Sequence, residues 1–252
     1  MKFKSRLRPH AGFTLTELLV VIVIIAVLAS LVFVGAKRAI ESAKIASNMS
    51  NLRNLGTMVN AVASDQGSYP PGWSWIQQKS WANYVVEQLH GEDVHQSNSL
   101  LSPYVASDIP PDLSGPTVTN YTATPFVFVP EYPNGRAWKV STARLRRPAE
   151  QILLCDGLPR SKDADYGFTM VVLWDLINSG RAGSSGNPPT FNPQHANRVI
   201  SWPEGIEEMT YDGSKGLPAF RYRGKCHFLF ADGHVEALKP NELKYKNFAI
   251  SY

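Results

Sequence analysis

The chain has 252 residues, 44% of them apolar and 18% charged, an ordinary globular composition that excludes wholesale disorder and collagen-like repetition. The net charge of +4 is local, because Lys2, Lys4, Arg6 and Arg8 precede any acid, and the remainder balances 21 basic against 21 acidic residues. A basic nucleic-acid-binding body is therefore not expected, and two cysteines rule out a cysteine-rich scaffold or a four-cysteine zinc site.

The basic leader runs into one apolar stretch, Phe13 to Ala36, with Glu17 as its single charge. As a helix its 24 residues would span roughly 36 Å, enough to cross a bilayer. The cations ahead of it predict a cytoplasmic leader and an outward body. A cleaved signal peptide would need a small-residue site such as Ala29-Ser30, but the stretch is longer than a signal core and carries a carboxylate near its start. A carboxylate in hydrocarbon costs several kcal/mol unless it finds a partner or stays near the interface. Glu17 therefore either sits at headgroup depth or meets a positive charge from another chain.

From Lys37 to Ala63 there is no proline, and Ile45, Met49, Leu52, Leu55, Val59 and Val62 recur at helical steps. One helix is predicted from about Phe13 to Ser64, stopped by Asp65-Gln66-Gly67-Ser68-Tyr69-Pro70-Pro71. Trp73, Trp75 and Trp81 follow, either as a local aromatic core or as a stacking platform. Ser80 to His90 is predicted as a short helix with Ser80 as N-cap. Phe126–Val129, Gln151–Cys155 and Phe168–Trp174 are predicted strands, and Ser179–Asn197 an irregular loop. Cys226–Ala231 and His234–Leu238 flank Asp232-Gly233 and predict a two-residue hairpin, with Phe230 opposite Val235 and Phe228 opposite Ala237.

The segment Ala11-Gly12-Phe13-Thr14-Leu15-Thr16-Glu17-Leu18-Leu19-Val20-Val21 resembles the prepilin processing motif of type IV pilins and type II secretion pseudopilins. The resemblance implies cleavage after Gly12 by a prepilin peptidase, N-methylation at Phe13, and an assembly role for Glu17 opposite the new amino group. Major pseudopilins end this helix with an Asp, a Gly and a Tyr-Pro pair, as Asp65, Gly67, Tyr69 and Pro70 do here. Many members carry a proline where Val34 stands, and Gly35 is the nearest substitute. Phe230-Ala231-Asp232-Gly233-His234 resembles the C-terminal Asp-Gly ending of a further group of prepilin-like proteins. Tyr222 occupies the place of that group's leading His. Arg147-Pro148 to Asp156-Gly157 is also similar to that group. Residues 72–140 resemble nothing identified.

The expected architecture is α+β and pilin-like, a long N-terminal helix packed on an antiparallel sheet with long loops. Residues 1–12 form the leader, 13–36 the transmembrane part, 37–65 the extramembrane helix and 66–252 an exported β-rich body. The expected location is the bacterial inner membrane, single-pass, with the body extracytoplasmic. The expected function is a structural subunit of a type II secretion pseudopilus or type IV pilus-like filament. Its partners would be the prepilin peptidase, other pilin or pseudopilin subunits and an inner-membrane assembly platform, with no nucleic acid. The alternative is a membrane-anchored binding module for polysaccharide or another surface ligand.

Asp156, Asp212 and Asp232 each precede a glycine and read as turns. They are also the candidates for calcium, which needs six to eight oxygens and is known from a C-terminal loop of major pseudopilins. No cofactor is otherwise expected. His195, His227, His234 and Glu236 lack ligand spacing for zinc. Cys155 and Cys226 are a candidate disulfide that would close a loop of about 71 residues, worth around 4 kcal/mol in the chain-entropy model. With no nucleophile elbow, phosphate loop or zinc-protease motif, no enzyme is expected.

Overall fold

The computed structural model describes residues 14–77, 79–90, 119–131, 133, 139–158, 196–208 and 217–248. The chain divides into two units, Met1–Lys44 and Ile45–Tyr252. Helix α1, Leu15–Asp65, belongs in part to each. It continues unbroken through Val34 and Gly35, and a Cβ added at Gly35 would meet nothing within 4 Å.

In the first unit every described side chain from Thr14 to Phe33 is exposed. By length and composition α1 can cross a membrane. Lys37 stands 4.6 Å from the centre of the Phe33 ring, at the end of the apolar run.

The second unit is built on a four-stranded antiparallel sheet, β3 (Tyr121–Ala123), β4 (Ile152–Asp156), β5 (Cys226–Phe230) and β6 (Val235–Leu238), in that spatial order. The stripe predicted on α1 packs on one face. Leu52, Leu55, Val59 and Val62 are fully buried with Tyr121, Ala123, Leu153, Leu154, Leu229 and Val235. The other face carries Ile152, Cys155, Cys226, Phe228 and Phe230, covered by Ile200, Leu217, Ala219, Phe220, Leu243 and Phe248. Both faces are apolar because both are covered, and β5 is accordingly buried along its whole length. An irregularity between Ile152 and Leu154 breaks the alternation of β4, so that Leu153 and Leu154 both join the helix-side core.

A small hairpin, β1 (Trp73–Ser74) and β2 (Lys79–Ser80), leads into α2 (Trp81–His90). Ser80 caps α2 as predicted, its N–H and hydroxyl bonding the Asn83 side chain at 3.0 and 2.7 Å. Trp81 is fully buried with its ring edge on Phe128, as the aromatic-core reading requires, while Trp75 stays half exposed.

Three expectations are corrected. Phe126–Val129 is no strand: after Thr124-Pro125 the backbone turns, with Val127 and Phe128 N–H groups both bonding the Thr124 carbonyl. The four side chains are apolar because they plug both cores from a turn, Phe126 on one side and Val127 and Phe128 on the other. The hairpin pairs Leu229 with Val235 and Phe228 with Glu236, one residue off the expected register. Its loop has three residues, Ala231-Asp232-Gly233, closed by Phe230 N–H to the His234 carbonyl, with Gly233 at φ +92°. Since strand side chains alternate, that one residue exchanges the faces. Finally, Asp156-Gly157 is not a turn. Asp156 ends β4 and Gly157 bridges Pro218. A Cβ on Gly157 would lie 3.1 Å from the Asn120 carbonyl and 3.2 Å from Thr122, so the glycine serves close packing. Phe168–Trp174 and nearly all of Ser179–Asn197 lie outside the described residues.

Candidate functional site

The first site is the start of α1. Thr14 precedes the helix and Glu17 is its third residue, the spacing of a capping box. The Glu17 carboxylate accepts from the Thr14 N–H at 2.9 Å and from its hydroxyl at 2.8 Å, while Glu17 N–H reaches back to the Thr14 hydroxyl at 3.3 Å. Within one chain the carboxylate is thus partly satisfied, and it lies where the helix dipole favours a negative charge. It remains exposed among exposed apolar residues, Leu15, Leu18, Leu19 and Val20. Such a surface is stable only against lipid or another apolar helix. Gly12 and Phe13, the expected processing residues, lie outside the described residues.

Residues 7–33 match the family model of the prokaryotic N-terminal methylation motif. The match supports a type IV pilin-like prepilin. The motif implies processing by a prepilin peptidase and assembly with other pilin subunits in general, and with α1 it fits a single-pass membrane anchor. The match covers the N-terminus alone. No curated protein and no solved structure matches the chain.

The second site is a buried polar cluster in the body, between α1 and one end of the sheet. Asn48 is the first buried residue of α1 beyond Lys44, with no exposed surface. Its Oδ1 accepts from the Tyr121 hydroxyl on β3 at 2.7 Å. Its Nδ2 lies 3.1 Å from His227 Nδ1 on β5. Because the amide nitrogen can only donate, Nδ1 must accept, which leaves the His227 proton on Nε2 and the ring neutral. Burial pushes the His227 pKa down to about 4, which agrees with that assignment. Asn51, one turn on, hydrogen-bonds the same phenol, whose pKa burial drives well up.

The Tyr222 ring lies 4.1 Å from His227, and its hydroxyl donates to Asp156 Oδ2. Asn120 donates to the other carboxylate oxygen at 3.4 Å, and Arg221 stands 3.8 Å from it while bonding the Gly157 carbonyl at 2.8 Å. Tyr222 is aimed there by a tight turn, Tyr222-Arg223-Gly224-Lys225, with φ +56° at Arg223 and +72° at Gly224. Tyr222 is thus a partner of the Asp156 carboxylate.

The calcium candidates are not brought together. Asp156 is engaged by Tyr222, Asn120 and Arg221. Asp232 bonds its neighbour His234 at 2.5 Å beyond the opposite end of β5, where its N–H meets the Pro148 carbonyl. Asp212 lies outside the described residues, as does His195. Among the described residues no three His, Cys, Asp or Glu side chains are grouped to hold a metal. Cys155 and Cys226 are free thiols in one core cluster on neighbouring strands. Cys155 pairs with Phe228, so Cys226 is its diagonal neighbour, and burial, with the neighbouring Cys226 thiol, pushes the Cys155 pKa well up. Asn48, Tyr121 and Tyr222 carry no local signal of their roles. The one hint is an asparagine beside the apolar stripe of a helix.

Proposed function

We propose that the chain is a structural subunit of a pilus-like filament, cleaved after Gly12, methylated at Phe13 and assembled through α1. The observation that carries the reading is the match of residues 7–33 together with an α1 whose apolar surface is wholly exposed around Glu17. In a bilayer that surface is satisfied by lipid, and in a filament by neighbouring helices. Glu17 favours the filament, because a neighbour's new terminal amine at Phe13 would neutralise it beyond what Thr14 supplies. The Asp65 to Pro70 helix stop favours the pseudopilus of type II secretion over a type IV pilus. The Phe230–His234 ending favours the Asp-Gly group of prepilin-like proteins. The body is read as extracytoplasmic, with no catalytic role and no resident cofactor, and its further partner as an inner-membrane assembly platform.

The test is intact mass and N-terminal sequence of the membrane protein, with and without a prepilin peptidase. The expected product starts at Phe13 and carries one added methyl, and Glu17→Val abolishes filaments but not cleavage. A start at Met1 in both conditions, or cleavage near Ser30, would overturn the reading.

A further inference from the structure

The apolar stripe of α1 does not by itself determine where the helix sits on the sheet. Met49, Leu52, Leu55, Val59 and Val62 follow one another at three- and four-residue steps, so a slip of one turn, about 5.4 Å, replaces each by another of similar size. Hydrophobic burial is non-directional and distinguishes such registers weakly. Two side-chain amides do distinguish them. Asn48 is held by strands β3 and β5 through both ends of its amide. Asn60, twelve residues on, donates to the Ala231 carbonyl in the β5–β6 loop at 3.3 Å and accepts from the Tyr69 hydroxyl at 3.1 Å. Between them Gly56 lets Leu229 of β5 approach. A slip of four residues would bring Leu52 or Lys44 to the Asn48 position and strand a buried phenol and a buried imidazole, and a slip of three would bring Ala63 or Thr57 to the Asn60 position and forfeit its two bonds. A buried asparagine that fixes register at some cost in stability is well attested in coiled coils.

We propose that Asn48 and Asn60 are positioning residues that index α1 on the sheet. The proposal rests on the filament reading for its consequence: subunits joined through α1 repeat only if each body is carried at one register on its helix.

The test uses the full chain in membranes with prepilin peptidase and the assembly machinery. Asn48→Leu should be cleaved like the wild type but melt lower, because it leaves the Tyr121 hydroxyl and the His227 imidazole without their amide partner. Its filament yield should fall at least tenfold. The exchange Asn48→His with His227→Asn keeps one donor and one acceptor between the two positions and should recover most of the yield. Wild-type yield from Asn48→Leu, or no recovery in the exchange, would overturn the proposal. Should the wild type itself form no filaments, the filament reading fails, and the index is decided by Asn48→Asp. His227 meets Asn48 of α1 and the Tyr222 ring and stands opposite Ala237 of β6, while Tyr121 and Asp156 are one contact further, on Asn48 and Tyr222. A carboxylate at position 48 would hold an imidazolium there, so this variant should melt higher near pH 5 than near pH 8, opposite to the wild type. An unchanged pH profile would refute the contact.

Discussion

Gly56→Ala sets two effects of known sign against each other. Alanine in a helix interior is favoured over glycine by about 1 kcal/mol. Here the new Cβ would stand 2.9 and 3.1 Å from the two Cδ atoms of Leu229 and 3.5 Å from its Cγ. Leu229 has no exposed surface and is packed among Leu52, Leu55 and Leu154, so it cannot swing aside freely. Overpacking of that kind costs about 1–3 kcal/mol. The net expectation is a loss of about 1 kcal/mol, read as a fall in the melting temperature of the body of roughly 2–4 °C. The assay is thermal unfolding in detergent, repeated in a Leu229→Val background. Valine lacks the two Cδ atoms, so there Gly56→Ala should become stabilising by up to about 1 kcal/mol. Stabilisation in the wild-type background, or the same sign in both, would refute the close-approach account of Gly56.

Acid should weaken the body through His227. Its pKa is about 4 when folded, against about 6.5 unfolded, so between these values the unfolded state binds more protons. Stability is full above pH 6.5, declines as pH falls toward 4, and loses at most about 3 kcal/mol, which His227→Gln should abolish in a pH series of urea titrations. On the alkaline side burial pushes Tyr69 up to about 12, so its contribution is complete below pH 10 and is lost as pH rises through 12; Tyr69→Phe should flatten that arm. Gly233→Ala, at φ +92° with nothing within 4 Å of the new Cβ, should cost about 1–2 kcal/mol from backbone strain alone, whereas Gly35→Ala should cost nothing. Asp156→Ala should cost about 2–4 kcal/mol, because it leaves the Tyr222 hydroxyl and the partly buried Arg221 without their carboxylate.

What depended on neighbours in sequence was legible. The apolar run, the unbroken α1, its stop at Asp65, the Ser80 cap and β4 all rest on patterns a few residues long. The hairpin was visible in Asp232-Gly233, but the pair suits both a two-residue loop and a three-residue loop ending in a left-handed glycine, and only packing of both faces selects the second. Phe126–Val129 misled because four apolar residues in a row report burial and not backbone shape. Asp156-Gly157 misled because the glycine is demanded by Asn120 and Thr122 across a strand pair. The polar cluster was invisible: Asn48 meets Tyr121 and His227 at separations of 73 and 179 residues, and no local pattern carries such a contact.

The two parts of the chain place opposite demands on their surroundings. The body satisfies itself: α1 covers one face of the sheet, and Ile200, Ile206, Leu217, Ala219, Phe220, Leu243 and Phe248 cover the other. Among its described residues only Trp75, Ile76 and Val199 leave a large apolar side chain exposed. The described residues of α1 before Lys44 leave their apolar surface open, with exposed apolar side chains from Leu15 to Phe33 and again at Ile40. The apolar surface open to association therefore lies on the helix. On the proposed filament reading, a substitution in the body acts on folding or on register, and one near Glu17 acts on docking. These are separate failures, because a subunit can be cleaved and folded and still be unable to repeat.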